Sequence, residues 1–145
     1  MLNIRIILTV ILSFFLFQTS KADDLKKELQ KYINEIITEV KEAETPDEKR
    51  EILNDLFEDL QSSFSAAKNS PYVPEEDHKG IDMLETKMRN RHNELNGLDG
   101  FEKVPDNKLN EFATFTLQDI EQADTIITIS LTTLLLIIIL AILIF

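Results

Sequence analysis

The chain has no cysteine. That single absence removes disulfides, thiolate metal sites, thiol nucleophiles and redox switching together. No Asn-x-Ser/Thr acceptor occurs either, since Asn69-Ser70-Pro71 has the wrong order and the other asparagines also fail. The familiar reaction signatures are missing as well: no glycine-rich phosphate loop, no H-E-x-x-H, no G-x-S-x-G and no EF-hand ligand order. Only two histidines are present, His78 and His92. On a continuous helix they would lie about 40° apart in rotation but roughly 21 Å apart along the axis, too far to share an ion. His78 with Asp82 and Glu85 has a spacing from which a weak metal site could be built. A solvated, ion-paired face is the expected reading, so no metal, cofactor or catalytic residue is assigned, and an enzyme is not expected.

Positive charge is scarce too. The whole chain carries 15 Lys or Arg against 26 Asp or Glu, a formal net charge of −11. Such a surface repels nucleic acid and anionic headgroups, so nucleic acid is not an expected partner. After Lys108 there is no cation at all, although Asp119, Glu121 and Asp124 follow it.

What is abundant lies at the two ends. Residues 126–145 hold fifteen Ile, Leu or Phe, one Ala and four hydroxyl residues (Thr128, Ser130, Thr132, Thr133), with no charge. A continuous helix of that length would be about 30 Å long, the hydrocarbon thickness of a bilayer. The other end, "MLNIRIILTVILSFFLFQTSKADD", has one cation, Arg5, before a twelve-residue core from Ile6 to Phe17. That core is shorter than the roughly 17–25 residues of a span. Ser20-Lys21-Ala22 supplies small residues where signal peptidase reads, so residues 1–22 are expected to be a signal peptide cleaved before Asp23. Cleavage takes away Arg5 and Lys21 and no acid, leaving 13 basic and 26 acidic residues, a net charge of −13.

The expected organisation is therefore a signal peptide at 1–22, a helical extracytoplasmic domain at 23–124 and a C-terminal segment at 125–145. That last segment is either a retained transmembrane helix or a removed glycosylphosphatidylinositol (GPI) attachment signal. Ala123-Asp124-Thr125 offers small residues for lipid attachment, with Ala123 as the candidate, although "IITISLTT" is a less polar spacer than the pattern asks. Missing basic residues beyond the tail favour the lipid, because a stop-transfer helix usually has them.

The middle of the chain is read as all-α: an up-down antiparallel bundle of three to four helices outside the membrane, followed by the C-terminal hydrophobic helix. From Asp24 to Glu44 the stripe is Leu25, Leu29, Tyr32, Ile33, Ile36, Ile37, Val40 and Ala43. Thr45, Pro46 and Glu48 form a capping box for a second helix carrying Ile52, Leu53, Leu56, Phe57, Leu60, Phe64 and Ala67. "KNSPYVPEED" breaks the pattern, and a third helix from Pro74 to Asn96 shows Ile81, Leu84, Met88 and Leu95, with Arg91 taking one seam position. "NGLDGFEKVPDN" breaks it again. A fourth helix from Pro105 or Asp106 shows Leu109, Phe112, Ala113, Thr116, Leu117, Ile120 and Ala123.

Up-down connectivity puts the 43–47 junction and the 96–105 loop at the end far from the membrane, with the "NSPYVPEED" turn near it. Phe101 is then at the outer tip, either as a contact for a protein partner or folded back as a cap on the core. Phe115 lies off the main stripe, and burial, on a second face or in a homodimer through helix faces, is expected for it. Together these features suggest a membrane-tethered, non-enzymatic cell-surface domain for interaction or surface coat. The arrangement resembles small lipid-anchored surface antigens of unicellular parasites, in architecture and not through any motif. Two alternatives are a bacterial periplasmic or envelope scaffold with a permanent transmembrane helix, and a helical carrier with an internal cavity above about 300 Å³ for an apolar ligand.

Overall fold

The structure is a computed structural model that describes residues 22–127 and 129–143. The expected signal segment, Thr128 and the last two residues lie outside it, as do the side chains of Leu25 and Leu29. The fold is all-α, with five helices packed as a bundle: α1 (Ala22–Glu42), α2 (Pro46–Lys68), α3 (His78–Asn96), α4 (Leu109–Glu121) and α5 (Leu131–Leu143). Single 3-10 turns, Glu75–Asp77 and Asp106–Lys108, lead into α3 and α4, and one helical turn, Ala123–Ile126, follows α4. The two prolines expected to open helices therefore sit just before these tight turns, and the α-helices begin three or four residues later.

Local chemistry explains the boundaries. Thr45 Oγ1 accepts from the Glu48 N–H at 3.2 Å, and Glu48 Oε2 accepts from the Thr45 N–H at 3.1 Å, so the capping box is closed in both directions. A cap of this kind is worth about 1 kcal/mol. Lys49 Nζ donates to the Val40 and Lys41 carbonyls at the end of α1 and to Asn110 Oδ1 at the start of α4, tying three helix ends together. α3 ends because Gly97 adopts φ 67°, which lets the Leu98 N–H turn back to the Asn93 carbonyl at 2.8 Å.

The expected stripes of α2, α3 and α4 are almost wholly inside, while on the α1 stripe Tyr32, Ile37 and Ala43 are half-buried. Ile33, Ile36 and Val40 of α1, all but half-buried Ile52 on α2, the four of α3 and the whole α4 set are buried. α2 is the central helix and packs on α1, α3, α4 and α5. Antiparallel pairing is pinned by polar side chains. Lys68 reaches Asp82 (3.1 Å) and Glu85 (2.6 Å) from α2 to α3, and Asp119 of α4 takes Lys87 (2.8 Å) and Arg91 (2.9 Å) of α3. Gln30 of α1 donates to Glu121 of α4 at 2.8 Å. These ties join α1–α4 without using α5.

Two expectations need correction. The bundle has five helices, not three to four, because the C-terminal hydrophobic helix is itself a member. α5 starts beside Asp77, where α2 finishes, and stays packed on α2 and α1, so it runs back antiparallel to α2. The uninterrupted helix expected over 126–145 is instead broken before Leu131 and is 13 residues long where described. Among the described residues, no helix is long and apolar enough to cross a membrane. Secondly, Phe115 is not buried on a second face of its own chain but is 52% exposed. The α4 stripe of Leu109, Phe112, Ala113, Thr116, Leu117 and Ile120 centres on a direction from which Phe115 is more than a right angle away.

Candidate functional site

Two places stand out once the side chains are in position: the tip made by the α1–α2 and α3–α4 connections, and the opposite end where α5 begins.

At the tip, Arg50 is buried within the first turn of α2. Its guanidinium donates to the Leu95 carbonyl at the end of α3, to the Val104 carbonyl in the following loop and to Asp106 Oδ1. A rigid fork of N–H donors suits this task, since the three acceptors diverge and lysine could meet them only singly. Arg50 thereby fixes the 97–105 loop against the bundle, and that loop turns Leu98 and Phe101 (39% exposed) outward. Phe101 does not cap the core fully. Beside this loop, Phe115 borders a surface groove of about 380 Å³ shared with Arg91, Glu94, Lys103 and Phe112.

At the other end, Ile127, Ile129 and Ser130 lie against the N-terminus of α3. Asp77, only 4% exposed, holds Ser130 there. Its Oδ1 accepts the Ser130 N–H at 3.1 Å, and its Oδ2 accepts both the Ser130 and the Thr133 hydroxyls at 2.6 Å. Burial pushes the Asp77 carboxyl up, but the hydrogen bonds from Ser130 and Thr133, aided by His78, outweigh it and hold the group below its ordinary value. Gly80 completes the seat: a Cβ there would lie 2.5 Å from Ile129 Cγ1 and 3.3 Å from the Ile127 carbonyl oxygen. Chain and helix approach this closely only because the side chain is missing.

The other sequence candidates fall as follows. Ala123 is fully buried and opens the helical turn after α4. His78, Asp82 and Glu85 do not form a ligand set, because Asp82 and Glu85 both pair with Lys68. Burial raises the Glu85 carboxyl, and the hydrogen bonds from Lys68 and Gln61 more than reverse it. Among the described residues, no group of three His, Asp or Glu side chains is placed to hold a metal ion. His92 stands edge-on to Phe57, ring centroids 5.6 Å apart, on a cleft of about 380 Å³ between α2 and α3 floored by Phe57, Phe64 and Met88. It opens at the surface between two helices and is not the internal cavity that a carrier of apolar ligands calls for.

Asp77, Gly80 and Arg50 were not singled out by the sequence reading. Gly80 carried the one available signal, a glycine in the first turn of a helix, which costs about 0.5–1 kcal/mol relative to alanine and so asks for a packing reason.

The class that fold and site define is a five-helix all-α bundle whose apolar C-terminal helix is received by its own polar seat. No family model matches the chain, no curated protein is significantly similar to it, and no solved structure matches it.

Proposed function

We propose that this protein is a non-enzymatic helical domain, carried across a membrane by its N-terminal segment and tethered to the outer face through its C-terminal apolar segment, where it serves as an interaction or coat module. The observation that carries this reading is that α1–α4 are tied to one another by polar contacts that do not involve the tail, although α5 packs on α2 and α1. α5 lies beyond a break in the helix, whereas the polar ties from Lys68, Arg91, Lys87 and Gln30 hold α1–α4 to one another. A segment attached in that way can be committed to a membrane while the acidic domain keeps its shape. The surface offered to a partner is the far tip, where Phe101 and Leu98 are held outward by the Arg50 clamp. Its net negative surroundings suit a basic protein partner.

The alternative, an envelope scaffold with a permanently retained helix, draws support from Ala123, which is buried in the core and so is a poor substrate for lipid exchange in this conformation. One experiment serves both. The protein is extracted from membranes that have been washed with alkaline carbonate, and its intact mass is taken before and after phosphatidylinositol-specific phospholipase C. A C-terminus near Ala123 with a glycolipid, released by the enzyme, supports the GPI form. A chain ending at Phe145 supports the retained helix. Complete recovery in the carbonate wash overturns the tether in either form.

A further inference from the structure

We infer that α5 is an exchangeable anchor: it is stored in the bundle on the seat made by Asp77 and Gly80, and it transfers from there into a lipid bilayer. The inference rests on the tether proposed above and specifies how the tail passes between its two locations.

For the side chains of α5 itself hydrophobicity does not choose between those locations, whereas departure uncovers the α2 and α1 surface beneath it and so favours storage. Leu134, Leu135, Ile137, Ile138, Ile139 and Ala141 are out of water in the bundle and would be equally out of water among acyl chains. What the bilayer cannot offer is the Asp77 carboxylate, which holds the Ser130 and Thr133 hydroxyls at 2.6 Å. The outward side of α5 argues that storage in the bundle is not its only use. A helix built only to cover a core presents polar residues to water. Here the outward positions are Thr132, half-buried Leu136 and Leu140, and exposed Leu143, and the helix carries no charge from Leu131 to Leu143.

The clamp also sets the length of the helix. Asp77 accepts the Ser130 N–H, so that group is not spent on a helical ladder running back before Ser130, and α5 begins at Leu131, its described part 13 residues or roughly 20 Å long. When Asp77 lets go, the break before Leu131 is free to close. The uncharged run of 126–145 then becomes one helix of about 30 Å, the length a bilayer needs. Release and membrane competence are thus one event. A bundle of net charge −13 directs that event to zwitterionic rather than anionic lipid.

The absence of cysteine makes a clean test available. Full chain from residue 23 to 145 is mixed with phosphatidylcholine vesicles and floated on a density gradient, as wild type, as Asp77→Ala, and as the pair Asp77→Cys with Ser130→Cys. The pair is run oxidised and reduced, with helicity at 222 nm compared beforehand so that a misfolded form is recognised. Asp77→Ala is expected to raise the ratio of vesicle-bound to free protein about tenfold, the equivalent of one charge-assisted hydrogen bond. The reduced pair should float like Asp77→Ala, and the oxidised pair should stay in the aqueous layer. Equal flotation of the oxidised and reduced pair overturns the inference and leaves the tether standing. So does a native chain whose mass ends near residue 123. If no form floats, the tether proposal falls with it.

Discussion

Replacing Gly80 with alanine sets two rules against each other, and the structure says which wins. At an ordinary helix position the change stabilises by about 0.5–1 kcal/mol, because alanine loses less backbone freedom on folding. At position 80 the new carbon would lie 2.5 Å from Ile129 Cγ1, so the contact must open by about 1 Å to reach ordinary van der Waals distance. Ile129 is 2% exposed and β-branched, and the Ile127 carbonyl oxygen closes the other side at 3.3 Å. Neither neighbour has a free direction in which to retreat. Overpacking of this kind costs about 1–3 kcal/mol, which leaves a net destabilisation of about 0–2.5 kcal/mol, centred near 1 kcal/mol, and a melting temperature lower by about 4 °C at that centre. Urea unfolding followed at 222 nm measures it directly. A variant more stable than wild type would show that Ile127 and Ile129 do not rest on α3, and would remove the basis for the seat. Combining Gly80→Ala with Ile129→Ala supplies the internal control: the pair should lose less stability than the sum of its singles by at least about 0.5 kcal/mol.

Other substitutions probe the rest of the framework. Arg50→Met should cost about 2–4 kcal/mol, because it leaves the Leu95 and Val104 carbonyls without their donor, and hydrogen exchange should speed up selectively in the 97–105 loop; exchange that rises uniformly would argue against a local clamp. Thr116 Oγ1 is buried with no hydrogen-bond partner among the described residues, so Thr116→Val should stabilise by about 1 kcal/mol in thermal denaturation, and a comparable loss would reveal a partner. Burial, with Asp55 and Glu58 close by, pushes the Asp59 carboxyl up to about 7. Its folded value lies above the unfolded one of about 3.9, so the stability it contributes is complete below pH about 4 and is lost as pH rises through about 7. Asp59→Asn should therefore unfold with a flatter pH dependence between 4 and 8 and gain about 1 kcal/mol at pH 8 after solvent screening, as read from paired urea titrations.

The helices were legible because their information is local. A stripe such as Leu53, Leu56, Phe57, Leu60 and Phe64 states its own period, and the Thr45–Glu48 box needs only four residues to be recognised. Up-down order then follows from short connections, which is why the two tips could be placed. Arg50 was invisible for the opposite reason. Its acceptors are 45 and 54 residues away, and nothing near it in sequence marks a buried cation. Asp77 looked like an ordinary acid in the first turn of a helix, with a favourable dipole position and no further duty. Phe115 was legible as off the α4 stripe from the 3.6-residue period; it was the apolar character all round that helix that pointed to a second buried face, which the chain does not have there. The C-terminal run shows the sharpest limit: hydropathy says that a segment leaves water, and says nothing of whether lipid or its own domain receives it.

The seat also fixes an order of events during synthesis. Asp77 and Ser130 are 53 residues apart, so α1–α4 can associate, and the strip on α2 that receives α5 lies bare, before the last helix has been made. For that interval the chain has an uncovered apolar surface and no occupant for it. On the tether proposed above, the emerging tail then meets two receivers, its own domain and the bilayer, and the faster capture sets the first product. A faster-closing clamp would deliver folded bundles with the tail inside; a slower one would deliver tethered bundles from the start.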